Sequence, residues 1–251
     1  MQKTVFLILV IIFCLSGALL YSKDKNNDKQ WKKLDYKMLV PAANKKFPCI
    51  IICPGRGYHK DLPLIKDLAR KAYANDIASV TFNWSFFINK QDPSPDGSAE
   101  IADIENILAM VMQDPRIDIS RVYIAGKSLG TLFAYFAFRE HKELKGCILL
   151  TPLLSKAEEG ESYYPELSKE TRPVTFILGD RDSLNCPLQE LYTYLGNCTE
   201  NVSVITLNGG HSLQIEGNPE DYTLNEINKK NFRLAIDAAI LKLRVLEYSG
   251  M

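Results

Sequence analysis

A serine framed by glycines, Gly126-Lys127-Ser128-Leu129-Gly130, stands between the β-prone run Val122-Tyr123-Ile124-Ala125 and the helix-prone run Thr131-Leu132-Phe133-Ala134-Tyr135-Phe136. No other feature constrains the chain as strongly. It requires a strand to turn sharply into a helix at Ser128, which asks for a layered α/β architecture. A strained turn of this kind holds a hydroxyl exposed, and glycines two residues to either side leave room for the helix to approach the strand. A serine so placed is a candidate nucleophile, provided that a base stands beside it.

The rest of the chain repeats the alternation that the turn demands. Strands are predicted at Asp35–Val40, Phe47–Cys53, Ile77–Asn83, Arg121–Ala125, Gly146–Leu150, Val174–Leu178 and Val202–Leu207. Helical spacing of apolar residues lies between them. Asp61 can cap a helix running to about Ala74, Asp96 or Ser98 opens a second with Ile101, Ile104, Leu108, Val111 and Met112 on one side, and a third begins at Ser128. Phe232, Ile236, Ala239, Ile240 and Leu243 mark a long terminal helix. Two longer loops, Ser85–Asp96 and Thr151–Pro173, follow strands and are expected over the carboxyl edge of the sheet, where open α/β sheets bind ligands. The second is a small lid at most, too short for a separate cap domain.

The first residues differ from this pattern. Thr4–Tyr21 is almost wholly apolar, follows Lys3 and gives way to the lysine-rich Ser22–Lys33. Residues 1–22 therefore read as a signal peptide or N-terminal membrane anchor, residues 23–33 as a polar linker and residues 34–251 as the catalytic domain. Ser16 and Ala18 place small residues where a signal peptidase cleaves, so cleavage after Ala18 is expected; an uncut segment would attach the protein to a membrane through residues 4–21. The expected location is exported, periplasmic or secreted, or else membrane-anchored. Thirty basic residues balance thirty acidic ones, which argues against nucleic acid as a partner. The five cysteines beyond the leader show no dense spacing, and Cys186 with Cys198 is the one sequence-local pair.

Three histidines limit the search for a base. His211 follows the last predicted strand through Asn208-Gly209-Gly210, a turn able to bring an imidazole over the sheet edge. His141 closes the helix after Ser128, where helix-end carbonyls account for it. His59 lies in the loop after the second strand. For the acid that orients the base, Phe176-Ile177-Leu178-Gly179-Asp180-Arg181-Asp182 ends a strand with two carboxylates in the turn beyond. Asp182 is favoured and Asp180 is the alternative. Cys53-Pro54-Gly55-Arg56-Gly57-Tyr58, between a strand and a helix, can turn backbone N–H groups inward; that of Arg56, or failing it Gly57, is expected to join that of Leu129 in holding an oxyanion.

Together these residues resemble the α/β-hydrolase superfamily over about residues 34–247, and most closely its small, cap-poor branch similar to dienelactone hydrolases and related esterases. The resemblance rests on Gly126-Lys127-Ser128-Leu129-Gly130, the Gly179-Asp180-Arg181-Asp182 turn and His211 after Gly209-Gly210. It implies a mostly parallel sheet of about seven strands flanked by helices, with no large cap domain, and a serine hydrolase acting on ester-type acyl bonds. It further implies Ser128 as nucleophile, Asp182 as acid, His211 as base, and Arg56 and Leu129 as oxyanion donors. Two positions depart from the family pattern: Pro54 stands where a histidine often precedes the oxyanion-loop glycine, and the spacing from Asp182 to Pro187 is one residue longer than usual. A small acyl compound is the expected substrate, and neither metal nor cofactor is expected. Thioesterase, acyltransferase and peptidase chemistry would use the same residues, and a non-catalytic binding protein could keep the same fold.

Gly57, Trp84 and Phe86 are expected to contact substrate, because they leave strands at the edge where the site should lie, with half-buried packing as the alternative for Trp84 and Phe86. Tyr163 and Tyr164 are expected in a surface loop, with a lid as the alternative. Lys127 receives no proton-transfer role, since neighbours at such a turn point apart. Asn83-Trp84-Ser85, Asn197-Cys198-Thr199 and Asn201-Val202-Ser203 match glycosylation sequons.

Overall fold

The computed structural model describes residues 34–154, 163–198, 200–217 and 225–249. The sequence readings for residues 1–22 and 23–33 thus lie outside the described residues. Seven strands form one sheet: β1 (Tyr36–Leu39), β2 (Phe47–Cys53), β3 (Ala78–Phe82), β4 (Ile117–Lys127), β5 (Leu144–Leu150), β6 (Val174–Gly179) and β7 (Val202–Leu207). Their order across the sheet is β1-β3-β2-β4-β5-β6-β7, with β1 antiparallel and every other pairing parallel. The helices are α1 (Pro63–Tyr73), α2 (Ser85–Ile88), α3 (Ser98–Gln113), α4 (Leu129–Glu140), α5 (Leu188–Gly196) and α6 (Glu226–Ser249).

The central strands are apolar on both faces because both are covered, as parallel sheets require. Alternate residues of β2 divide between two cores. Cys49, Ile51 and Cys53 pack with Ile104, Ile107 and Leu108 of α3 and with Leu132 and Phe133 of α4. Ile50 and Ile52 pack with Leu64, Ile65 and Leu68 of α1 and with Phe232, Ile236 and Ile240 of α6. Each fully buried Leu, Ile or Phe contributes roughly 1.5–3 kcal/mol relative to exposure, so these two layers hold the sheet rigid beneath the site.

Several local expectations change. The first helix starts at Pro63 with Leu62 as N-cap, and Asp61 supplies no cap bond; proline at the first position needs no N–H partner. The second expected helix does open at Ser98, as α3, with Gly97 in the left-handed region (φ 70°) before it and Asp96 accepting the Ser98 N–H. β4 begins at Ile117, four residues before the predicted start at Arg121, because Ile117 pairs with Phe47. Helices α2 and α5 were not expected. Cys186 and Cys198 are free thiols, as are Cys49, Cys53 and Cys147. Asn83 is buried, and its amide bonds Asp35 and the Lys60 N–H, so that sequon is committed to structure. Among the described residues no helix is long and apolar enough to cross a membrane, and no cluster of histidine, cysteine or acidic side chains could hold a metal ion.

The register sets where chemistry can occur. Cys53 is level with Gly126, Lys127 with Leu150, Leu150 with Ile177, and Gly179 with Leu207. The loops after β2, β4, β6 and β7 therefore leave the sheet along one edge. From β2 the chain crosses to β3 on one side and later to β4 on the other, which opens a crevice between the carboxyl ends of β2 and β4.

Candidate active site

Ser128 joins β4 to α4 with φ 52° and ψ −122°, a conformation that costs free energy and persists because its surroundings enforce it. The two framing glycines are the enforcement. A Cβ on Gly126 would lie 2.2 Å from the Gly130 carbonyl oxygen, and one on Gly130 would lie 2.5 Å from the carbonyl oxygens of both Cys53 and Pro54. The Ser128 N–H donates to Leu150 O at 3.0 Å, and Thr131 Oγ1 donates to Ser128 O. Pinned on both sides, the residue holds its side chain clear of the helix it begins.

His211 Nε2 lies 2.7 Å from Ser128 Oγ, and His211 Nδ1 lies 2.8 Å from Asp182 Oδ2. The three side chains form one continuous line of hydrogen bonds. Asp182 is buried, and its carboxylate also accepts from Leu184 N at 2.9 Å and Asn185 Nδ2 at 3.0 Å, which fixes its orientation. Asp180, the alternative acid, points elsewhere: its Oδ1 accepts the Gly209 N–H at 2.8 Å and faces Arg181. Gly179 matters for a reason that the sequence did not reveal. A Cβ there would meet Gly209 O at 2.2 Å, so the glycine admits the histidine loop against the aspartate loop.

Two asparagines of α6, absent from the sequence reading, clamp the histidine loop. Asn231 Nδ2 donates to the carbonyls of Asn208 (2.6 Å) and Leu213 (2.7 Å). Asn228 Oδ1 accepts from Ile215 N and Glu216 N, and its Nδ2 donates to Glu216 O. Both side chains are buried, and Leu213 is held at φ 58°. The available signal was two asparagines three apart, one helical turn, on a helix otherwise apolar along its buried face.

The loop after β2 lies against the turn at Ser128, with a Cβ built on Gly55 only 3.2 Å from Ser128 Cβ. Tyr58 N donates to Gly55 O at 3.1 Å, closing a turn with Arg56 and Gly57 at its centre. Among the described residues, the N–H groups of Arg56, Gly57 and Leu129 find no acceptor. The Arg56 guanidinium leaves the site to pair with Asp92. Gly57 is exposed and faces open space. Trp84, expected to face substrate, is instead wholly enclosed: its indole N–H donates to Pro54 O at 2.7 Å, and Phe82 and Phe133 meet it edge-on. A buried indole needs such an acceptor, and in finding it Trp84 braces the loop from beneath. Phe86 stacks on Trp84 at 6.1 Å and keeps 7% exposure. Asp103 holds this segment by accepting both the N–H and the hydroxyl of Ser85, and Glu100 does the same for Ser94.

Tyr163 and Tyr164 form neither lid nor surface loop. Both are buried, and Tyr164 sits between Tyr135 and Phe176 with its hydroxyl 3.1 Å from Thr131 Oγ1. His59 and His141 stand apart from Ser128, bonded respectively to Asp61 N and Glu143.

Charge completes the geometry. Burial and the Lys127 ammonium hold His211 below the ordinary histidine range, against the opposing pull of Asp182. Its imidazole is therefore neutral near pH 7, with one nitrogen free to accept a proton. Lys127 is itself fully buried, and desolvation brings its amine down to about 7. A neutral imidazole between a hydroxyl and a carboxylate, with the N–H groups of Arg56, Gly57 and Leu129 unbonded among the described residues, is an arrangement able to make the hydroxyl nucleophilic and to receive an oxyanion.

Esterase EstD of Thermotoga maritima is 23% identical over 230 residues, which span 80% of this chain and 55% of that protein. The chain thus covers little more than half the length of this relative. Est1E from Butyrivibrio proteoclasticus superposes with a TM-score of 0.62 at 16% identity, over 84% of this chain and 95% of its own. An alpha-beta serine hydrolase homologue from Coxiella burnetii gives 0.62 at 18% identity, over 82% and 91%. Residues 46–238 match the family model described as an alpha/beta hydrolase domain; with a sheet of matching architecture, the chain belongs to the alpha/beta hydrolase family.

Proposed function

We propose that this protein is a serine hydrolase that cleaves ester-type acyl bonds through a Ser128–His211–Asp182 triad and an acyl-enzyme intermediate. The observation that carries the reading is the unbroken hydrogen-bond line from Ser128 Oγ through His211 to Asp182 Oδ2, at 2.7 and 2.8 Å. In the first half-reaction His211 Nε2 takes the Ser128 proton while Oγ attacks the substrate carbonyl. The resulting oxyanion accepts hydrogen bonds from the N–H groups of Arg56 and Leu129, and Asp182 stabilises the imidazolium. His211 then protonates the departing alcohol. In the second half-reaction water, deprotonated by the same imidazole, attacks the acyl-enzyme, and Ser128 leaves with its proton restored. A small acyl ester is the proposed substrate class, with the exposed Gly57 beside it; the esterase name of the Thermotoga relative agrees with this choice.

A fluorophosphonate probe should label the wild type and fail to label Ser128→Ala, with p-nitrophenyl acetate hydrolysis lost in the same variant. Equal labelling of both proteins would reject the proposal. For the N-terminal segment we infer export with cleavage after Ala18, on the strength of the apolar run and the small residues Ser16 and Ala18. The intact mass of the mature chain tests it: a first residue at Leu19 agrees, and a chain retaining residues 1–18 does not.

A further inference from the structure

Lys127 immediately precedes Ser128, yet its side chain goes to the other side of the sheet. It is wholly buried on the face covered by α1 and α6, level with Leu150 and next but one to Ala125. Among the described residues its Nζ donates to one acceptor, the carbonyl oxygen of His211, at 3.0 Å, and stands 4.9 Å from the centre of the Tyr58 ring. A methionine would fill this space without the several kcal/mol that burying an ammonium costs, so packing alone does not explain the residue. What the amine does that no apolar side chain can is join the nucleophile strand to the base itself. The asparagine clamps of α6 hold the carbonyls of residues 208, 213 and 216, and none of them reaches that of His211.

We propose that Lys127 is a positioning residue whose buried amine, bonded to the His211 carbonyl, ties the base-bearing loop to the nucleophile strand and sets a cation beside the base. This rests on the triad reading above. The titratable groups facing Lys127 are Asp182 from the loop after β6, His211 from the loop after β7 and Tyr58 from the loop after β2, while α1 and α6 contribute apolar side chains of the same cluster. Asp182 attracts both cations, while Lys127 opposes protonation of the imidazole. The tether and the charge are separable, because a neutral amine still donates a hydrogen bond and a charge acts without one.

Two substitutions separate them. Lys127→Gln keeps a donor and loses the charge; Lys127→Met loses both. In both variants the acid limb of kcat/KM for p-nitrophenyl acetate should move up by about one pH unit, a several-fold fall at pH 6 that approaches about tenfold at lower pH, because the imidazole binds its proton more readily once the repulsion is gone. At pH 9, where the wild-type amine is already neutral, Lys127→Gln should lie within about threefold of wild type, and Lys127→Met should be lower at every pH through loss of the tether. A merely structural lysine would lower kcat without moving the limb. Unshifted acid limbs in folded Lys127→Gln and Lys127→Met would overturn the proposal. Retained probe labelling of Ser128→Ala would instead reject the triad itself, so the two failures are distinguishable.

Discussion

Ser128 is held in place by what its neighbours lack. Gly126 and Gly130 leave no space for a methyl group, and the atoms in the way are backbone, which cannot swing aside. Gly126→Ala should therefore cost several kcal/mol of stability, read as a lowered urea midpoint, or displace Ser128 and abolish probe labelling. The two carboxylates after β6 make a sharper test. Asp182→Asn should lower kcat by about 10³- to 10⁴-fold, since the imidazole loses both its orientation and the charge that stabilises its protonated form. Asp180→Asn keeps an acceptor for the Gly209 N–H and should stay within about tenfold of wild type in the same ester assay. Sequence reasoning favoured Asp182 from the turn after Gly179. The separation comes from spatial partners, Gly209 for one aspartate and His211 for the other, which lie 29 residues away in each case.

Turns and loops carry Ser128, Asp182 and His211, and elements hold those loops. The histidine loop has little apolar contact of its own beyond Leu213, and its carbonyls are collected by Asn228 and Asn231. Asn231→Ala strands the carbonyls of Asn208 and Leu213, and Asn228→Ala strands the N–H groups of Ile215 and Glu216, so each should cost about 1–3 kcal/mol and lower kcat more than it raises KM. Urea unfolding together with steady-state kinetics reads both. The same logic applies on the other flank, where Asp103 and Glu100 at the start of α3 accept from Ser85 and Ser94 and fix the segment that carries Trp84. Most strands were legible because buried parallel strands are continuous apolar runs. The start of β4 was not, because Asp118-Ile119-Ser120 alternates polar residues and is recruited by pairing from Ile117. Nor was the burial of Tyr163 and Tyr164, since a tyrosine pair in a long connection carries the same local pattern whether it is exposed or tucked beneath a helix.

The whole molecule keeps an amine out of water close to its centre, and that has a consequence for stability. The Lys127 pKa falls from an ordinary 10.5 to about 7 on folding. Between these values the unfolded chain binds the proton and the folded chain does not, so this group makes stability rise with pH from about 7 to 10.5 and loses that contribution as pH falls through about 7. His211, also held below its ordinary 6.5, acts in the same direction at lower pH. Urea midpoints taken at pH 6.5, 8 and 9.5 should climb in the wild type, and Lys127→Met should flatten the climb while raising stability at the lowest pH. A profile unchanged by the substitution would contradict a buried amine of this kind.

The sequence by itself determined the α/β alternation, the strained turn at Ser128 and the short set of candidates for base and acid, because these depend on local periodicity, on glycine and on the scarcity of histidine. Tertiary structure alone decided which aspartate meets His211, that Trp84 supports the loop after β2 from within the core, and that Lys127 reaches the carbonyl of His211. Each of these is a contact between segments distant in the chain, and its energy depends on where the sheet register brings the strand ends. Local spacing records which residues can turn, pair or coil, but not which buried polar atoms will find one another once water has been excluded.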